Sequence, residues 1–145
     1  MPSTCHPRRT LISAAALALA VPLQAARASG THHPDARWAA AAQAMRRLAA
    51  SSGDQDYGAV LVLGQAVAGE GPSRVVKEGN PDAHAERVAL RDAQRRLGRA
   101  DLSGSVLYST SRPCSRCEAA AAAAGVSRMY FGERMTDAGV PAPQR

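Results

Sequence analysis

Hydrophobic and polar positions divide the chain into a regular series of elements. Residues 36–51 are rich in alanine, with Trp38, Met45 and Leu48 at helical spacings. They predict a first helix, stopped by Ser52-Gly53-Asp54. Tyr57 to Leu63 is a continuous β-prone apolar run, the pattern of a buried strand. Gly64-Gln65 predicts a tight turn, and Ala66 to Glu70 the returning strand of a hairpin. Gly71 to Gly79 reads as loop. Asn80-Pro81-Asp82 offers a capping side chain, a proline suited to the first helical position and an acid for the first turn. The spacing therefore predicts a helix running to about Leu97, with Val88, Ala89, Ala93 and Leu97 inward and Gly98 as its stop. Ser105 to Ser109 predicts a strand. Residues 114–124, with six consecutive alanines before Gly125, predict a helix. Val126 to Phe131 predicts a further strand. The tail from Gly132 carries Pro141 and Pro143 and no strong pattern, and the chain has no internal repeat.

The order helix, hairpin, helix, strand, helix, strand predicts one α/β domain. Helices should cover both faces of a mixed sheet of four to five strands. The two later strands each follow a helix, which predicts right-handed parallel crossovers.

Length agrees with one domain: 145 residues hardly suffice for two. A hydrophobic content of 46% with 21% charged residues excludes a disordered chain. The five aromatics, Trp38, Tyr57, Tyr108, Tyr130 and Phe131, are too few stacking platforms for a dedicated single-strand nucleic-acid binder. The formal charge of +6 invites a nucleic-acid or membrane reading. The N-terminus changes that picture. Arg8-Arg9 precede the apolar run Leu11 to Val21, and Ala26-Arg27-Ala28 fits the small-x-small rule before a cleavage site. Residues 1–28 are expected to be an export signal, twin-arginine in type or generally secretory, and residues 29–145 a single domain. The expected location is periplasmic or secreted. Cleavage after Ala28 removes three arginines and no acid, taking the charge from +6 to +3 and weakening the electrostatic case. The apolar run is too short to span a bilayer comfortably.

Cys5 lies in the expected signal, leaving Cys114 and Cys117. In an exported protein this C-x-x-C spacing is open to three readings: a disulfide, a redox pair, or two ligands of one metal. The neighbours favour the metal. At a helix start, residues i and i+3 share a face, and the helix N-terminus favours thiolates. His84-Ala85-Glu86 stands at the other helix start. Two thiolates and one imidazole make a three-ligand zinc site with an open fourth position, the mark of a catalytic centre. A metal there lowers the pKa of water towards neutrality. Glu86, two residues from His84, can face the open position as a general acid–base without being a ligand. H-x-E at one helix start followed by P-C-x-x-C at the next is the pattern of zinc nucleobase deaminases.

On these residues the chain resembles the zinc-dependent nucleoside and nucleobase deaminases of the cytidine/deoxycytidylate deaminase-like superfamily. It is most similar to the branch of tRNA adenosine deaminases and bacterial guanine deaminases. The motifs that carry the likeness are Tyr57-Gly-Ala-Val-Leu-Val62, Asn80-Pro-Asp-Ala-His-Ala-Glu86, Thr110-Ser-Arg-Pro-Cys-Ser-Arg-Cys117 and Met129-Tyr-Phe-Gly132. The likeness covers residues 36–132. It implies a three-layer cytidine deaminase-like fold, one zinc held by His84, Cys114 and Cys117, and Glu86 as proton shuttle. Backbone amides around Ala85 and Cys114 would orient the base.

Four departures from the branch accompany the match. Ser73 stands where the branch usually has a substrate-binding Asn. Arg112 replaces the usual Glu before Pro-Cys. Ala119 to Ala124 replace bulky residues, and the C-terminal helix is short or missing. The expected substrate-binding residues are Ala85, Ser73 and Arg112. Arg74, Lys77 or Arg112 could recognise a phosphate, although Arg74 and Lys77 serve equally as solvated surface charge.

The sequence thus implies an exported, homodimeric zinc hydrolase that releases ammonia from a nucleobase, nucleoside, nucleotide or related small amino-heterocycle. A nucleic-acid substrate is not expected, since tRNA is cytoplasmic. Two alternatives stand beside it. A non-catalytic zinc-binding protein on the same scaffold would have no use for Glu86. A nucleic-acid-modifying deaminase toxin is disfavoured by the scarcity of aromatics.

Overall fold

The structure, a computed structural model, describes residues 33–144. The expected export segment and its cleavage site lie outside the described residues. Helix α1 (Ala36–Ser51) is capped by Asp35, whose carboxylate accepts the Arg37 N–H. Strands β1 (Gly58–Leu63) and β2 (Ala66–Pro72) form the hairpin, and a single helical turn, α2 (Val75–Glu78), follows. Helix α3 (Ala85–Leu97), strand β3 (Ser105–Ser109), helix α4 (Ser115–Ala123), and strands β4 (Arg128–Phe131) and β5 (Thr136–Gly139) complete the order.

The strands form one sheet in the order β2-β1-β3-β4-β5. β1 is antiparallel to both β2 and β3, so those two run the same way on either side of it. β3 and β4 are parallel neighbours joined through α4, and β5 returns antiparallel along β4. Alternate residues of β1 face opposite layers, as the two-residue period of a strand requires. Ala59 and Leu61 pack with Ala85, Ala89 and Ala93 of α3 and with Ala121 of α4. Val60 and Val62 pack with Ala42 of α1, Tyr108, Tyr130 and Met135. This is the three-layer α/β/α arrangement expected, with five strands in the sheet.

Small residues bring α3 almost onto the sheet. A Cβ placed on Gly71 would lie 2.0 Å from the Ala85 carbonyl oxygen, and one on Gly69 would lie 2.2 Å from that of Ala89. The hairpin strand and the helix therefore touch backbone to backbone, and this contact fixes the height of the α3 N-terminus over the sheet.

Several boundaries differ from the sequence reading. The helix expected from Asn80 begins at Ala85. The Asn80 side chain does cap, but it accepts the Asp82 N–H within a turn, and His84 is extended at ψ 152° before the helix starts. Leu97, expected inward, is exposed at the end of α3, and Leu90 is buried in the cleft towards α4 instead. Leu48 likewise turns outward. The loop from Gly71 to Gly79 contains the end of β2 and the turn of α2. The patternless tail supplies β5, whose Thr-Asp-Ala-Gly sequence has no apolar alternation because it is a largely exposed edge strand.

Candidate active site

His84 and Cys114 occupy the N-cap positions of α3 and α4. An N-cap is normally Ser, Thr, Asp or Asn, whose side chain bonds the helix N–H groups. Neither His84 nor Cys114 makes such a bond, so both side chains are free for other work at the positive ends of two helices. Asp82 links those helix starts on the outside, 2.9 Å from Arg116 of α4 and 3.7 Å from Arg87 of α3. Inside, Cys117 is buried one turn after the exposed Cys114.

His84 Nδ1 lies 3.4 Å from Cys117 Sγ and 3.7 Å from Cys114 Sγ. All three ligand atoms fall within 4.8 Å of one another. A tetrahedral zinc, about 2.0–2.1 Å from nitrogen and 2.3 Å from sulfur, holds N and S roughly 3.5 Å apart. The observed separations meet that test. The donor chemistry agrees: burial, then the neighbouring Glu86 charge, push the Cys117 thiol up. A thiolate at this position therefore calls for a cation to compensate it.

Glu86 is 4% exposed and stands in the first turn of α3. Its Oε1 accepts the Ser109 hydroxyl at 2.7 Å. Ser109, at the end of β3, is itself buried, and its Oγ also accepts the Ser111 N–H. Thr110 fastens this strand end to β1: its N–H donates to the Gly58 carbonyl and its Oγ1 accepts the Gly58 N–H. The carboxylate is thus held by a group on a rigid strand.

A cavity of about 220 Å³ opens beside this constellation. Its floor is His84, Ala85, Glu86 and Cys114, and its walls are Gln55, Tyr57, Ser111 and Arg112. Of the substrate-binding residues expected from the sequence, Ala85 and Arg112 line it. The Arg112 guanidinium sits 5.3 Å from the Phe131 ring centroid, which braces it by a cation–π contact. Ser73 is not in the lining: it is 2% exposed and donates its hydroxyl to Asp54. Arg74 and Lys77 do not line it either; Arg74 faces Glu78 at 3.8 Å.

Gln55 and Tyr57, which did not stand out as site residues in the sequence, come from the loop between α1 and β1. That loop is strapped down by Asp54. Burial acts to raise the pKa of Asp54, but hydrogen bonds from Lys77 N–H, Gln55 N–H and the Ser73 hydroxyl outweigh it and hold the carboxyl below its ordinary value. The only sequence signal for this loop was the adjoining strand motif.

Residues 32–133 match the cytidine and deoxycytidylate deaminase zinc-binding region. The chain belongs to that family. Within this deaminase family it is 32% identical over 103 residues to the tRNA-specific adenosine deaminase of Buchnera aphidicola subsp. Schizaphis graminum, a match covering 71% of this chain and 68% of the relative. It is 39% identical over 87 residues to the tRNA-specific adenosine deaminase of Agrobacterium fabrum, covering 58% and 57% respectively. It is 35% identical over 82 residues to the guanine deaminase of Bacillus subtilis, covering 57% and 53%. The chain thus spans about two thirds of the first relative and little more than half of the other two. Among solved structures, a tRNA:A34 deaminase superposes with a TM-score of 0.65 at 34% identity, over 68% of this chain and 71% of that one. The Bacillus subtilis guanine deaminase gives 0.65 at 28% identity, over 69% and 64%. The zinc-binding deaminase family and its fold, expected from the H-x-E and P-C-x-x-C motifs, are those found.

Proposed function

We propose that this chain is a zinc-dependent hydrolytic deaminase of a small amino-heterocycle. The observation that carries the proposal is the placement of Glu86. A buried carboxylate, braced by Ser109, faces the same cavity as a His84–Cys114–Cys117 donor set that it does not join. A purely structural metal site needs no such group.

His84, Cys114 and Cys117 would hold the zinc, which when bound supplies Lewis acidity and a nucleophilic water near neutral pH. Glu86 takes a proton from the attacking water and passes it to the ring nitrogen. It then takes the second proton of that water, now on the hydroxyl at the attacked carbon, and delivers it to the exocyclic amine. One water is consumed, the C–N bond to the amine breaks, and ammonia leaves. Backbone amides around Ala85 and Cys114, which line the cavity, would help orient the base and the attacked carbon. Ser109 keeps the Glu86 carboxylate aimed throughout.

The size of the cavity supports a small substrate. At about 220 Å³ it is below the roughly 300–1,000 Å³ typical of sites for drug-sized ligands. It suits one heterocycle, with any sugar or phosphate at the mouth beside Arg112. The named relatives act on guanine or on adenosine in tRNA; the scarcity of aromatics in this chain favours the small-molecule side. Ammonia release should be measured over free bases, nucleosides and nucleotides. Turnover of at least one is expected; none on the whole panel would overturn the proposal.

We further propose export of the chain, supported by Arg8-Arg9, the apolar run to Val21 and Ala26-Arg27-Ala28, with a homodimer as the assembly. Among the described residues no helix is long and apolar enough to cross a membrane. Replacing Arg8 and Arg9 with Lys should leave an uncleaved precursor inside the cell. Unchanged export of that variant would refute the twin-arginine route.

A further inference from the structure

An amino-heterocycle presents hydrogen-bond donors and acceptors side by side along its edges. A cavity that takes it in without matching groups leaves those atoms unpaired, which costs affinity. The floor of the cavity is committed to the chemistry: His84 and Cys114 to the metal, Glu86 to the proton. The remaining walls are Tyr57, Ser111, Arg112 and Gln55. Among these, Gln55 has the one carboxamide, which offers two donors and an acceptor in one plane. Arg112 can only donate, and its guanidinium is drawn against Phe131. Ser73, the substrate-binding candidate of the sequence, has its hydroxyl on Asp54.

The backbone of Gln55 is fixed while its side chain is left free. Its N–H donates to Asp54 Oδ1 at 2.8 Å, and its carbonyl accepts the Tyr57 N–H at 2.7 Å. Asp54 in turn accepts the Ser73 hydroxyl at 3.0 Å and the Lys77 N–H at 2.8 Å. The short segment from Asp54 to Tyr57 is therefore clamped to the connection between β2 and α2. Gln55 is an exposed residue in the lining of the cavity, and its carboxamide has no hydrogen-bond partner among the described residues. A reading group needs this combination of an anchored main chain and an uncommitted amide.

We propose that Gln55 determines specificity by pairing its carboxamide with the donor and acceptor on the substrate edge remote from the departing amine, and that Asp54 and Ser73 are positioning residues for it. The proposal rests on the deaminase reading and names how that site chooses its substrate. The favoured class is an amino-heterocycle carrying a donor next to an acceptor on that remote edge. Tyr57, also on this segment, lines the same cavity.

The test is steady-state ammonia release by the zinc-loaded enzyme, on the substrate that the wild type turns over fastest. Gln55→Leu should raise KM about tenfold and change kcat by no more than about twofold, since the lost bond holds ground state and transition state alike. Gln55→Glu keeps the acceptors and loses the donors, and should change the rank order of substrates. Ser73→Ala should raise KM in the same direction by a smaller factor. An unchanged KM and an unchanged rank order in both Gln55 variants, in an enzyme that is otherwise active, would overturn this inference alone. Absence of turnover by the wild type on every substrate would overturn the deaminase reading and this inference with it.

Discussion

Ser109 donates its hydroxyl to the Glu86 carboxylate across 2.7 Å, and both side chains are buried. The bond joins the end of a central strand to the first turn of the helix that carries His84. It makes the aim of the general acid–base a property of the sheet. Ser109→Ala should therefore lower kcat by about tenfold or more, the worth of one hydrogen bond to a charged group. Ser109→Thr, which keeps the hydroxyl, should restore most of the loss. An unchanged kcat in a folded, zinc-replete Ser109→Ala protein would show that the bond does not aim Glu86.

Metal content provides the second prediction. Protein purified without added metal should contain close to one zinc per chain, consistent with the one such group, His84–Cys114–Cys117, among the described residues. Elemental analysis of Cys114→Ser should show a sharp fall. Chelation should also lower the melting temperature of the wild type, because metal binding contributes folding free energy. A Cys114–Cys117 disulfide in protein isolated without reductant, with no metal present, would contradict the site.

Asp54 gives a pH dependence with a definite sign. Its folded-state pKa lies below the ordinary value, held there by hydrogen bonds from Lys77, Gln55 and Ser73 against the opposing effect of burial. Its contribution to stability is therefore complete above the unfolded pKa of about 3.9 and is lost as pH falls through the folded value. The melting temperature of the wild type should exceed that of Asp54→Asn at about pH 6, and the gap should narrow as the pH is taken below about 3.9. A gap that stays constant over that range would remove Asp54 from the acid transition.

The contact between Gly71 and Ala85 makes a steric prediction. A methyl group at Gly71 would meet the Ala85 carbonyl at 2.0 Å and the Ala89 nitrogen at 2.6 Å. Both neighbours are backbone, so neither can swing aside, and Gly71→Ala should cost about 1–3 kcal/mol or more. Urea unfolding measures the cost. Zinc affinity should fall in the same variant, since the displaced turn of α3 carries His84. Wild-type stability in Gly71→Ala would mean that α3 is not held by this contact.

Much of this arrangement was legible in the sequence because the relevant signals are local. The helix of residues 36–51 matches its expected bounds, and His84, Cys114 and Cys117 converge as their spacings at two helix starts require. What escaped depends on tertiary context. Asn80-Pro81-Asp82 has the composition of a helix start, yet Asn80 closes a turn and the cap passes to His84, whose side chain the site uses elsewhere. β5 escaped because a short edge strand beside solvent needs no apolar face. Ser73 aligns by counting with a binding position, but counting cannot reveal that Asp54 claims its hydroxyl. Gln55 lies in a polar loop between two predicted elements, and only the clamp around Asp54 shows that it borders the cavity.

The most direct test of the central claim compares Glu86→Gln with the wild type at equal zinc content, by ammonia release on the best substrate. The substitution keeps the shape of the side chain and its place beside Ser109 but removes the proton acceptor. Turnover should fall by about 10²–10⁴-fold, the usual worth of general acid–base catalysis, with melting temperature and metal stoichiometry unchanged. Undiminished turnover in a zinc-replete Glu86→Gln protein would contradict the account.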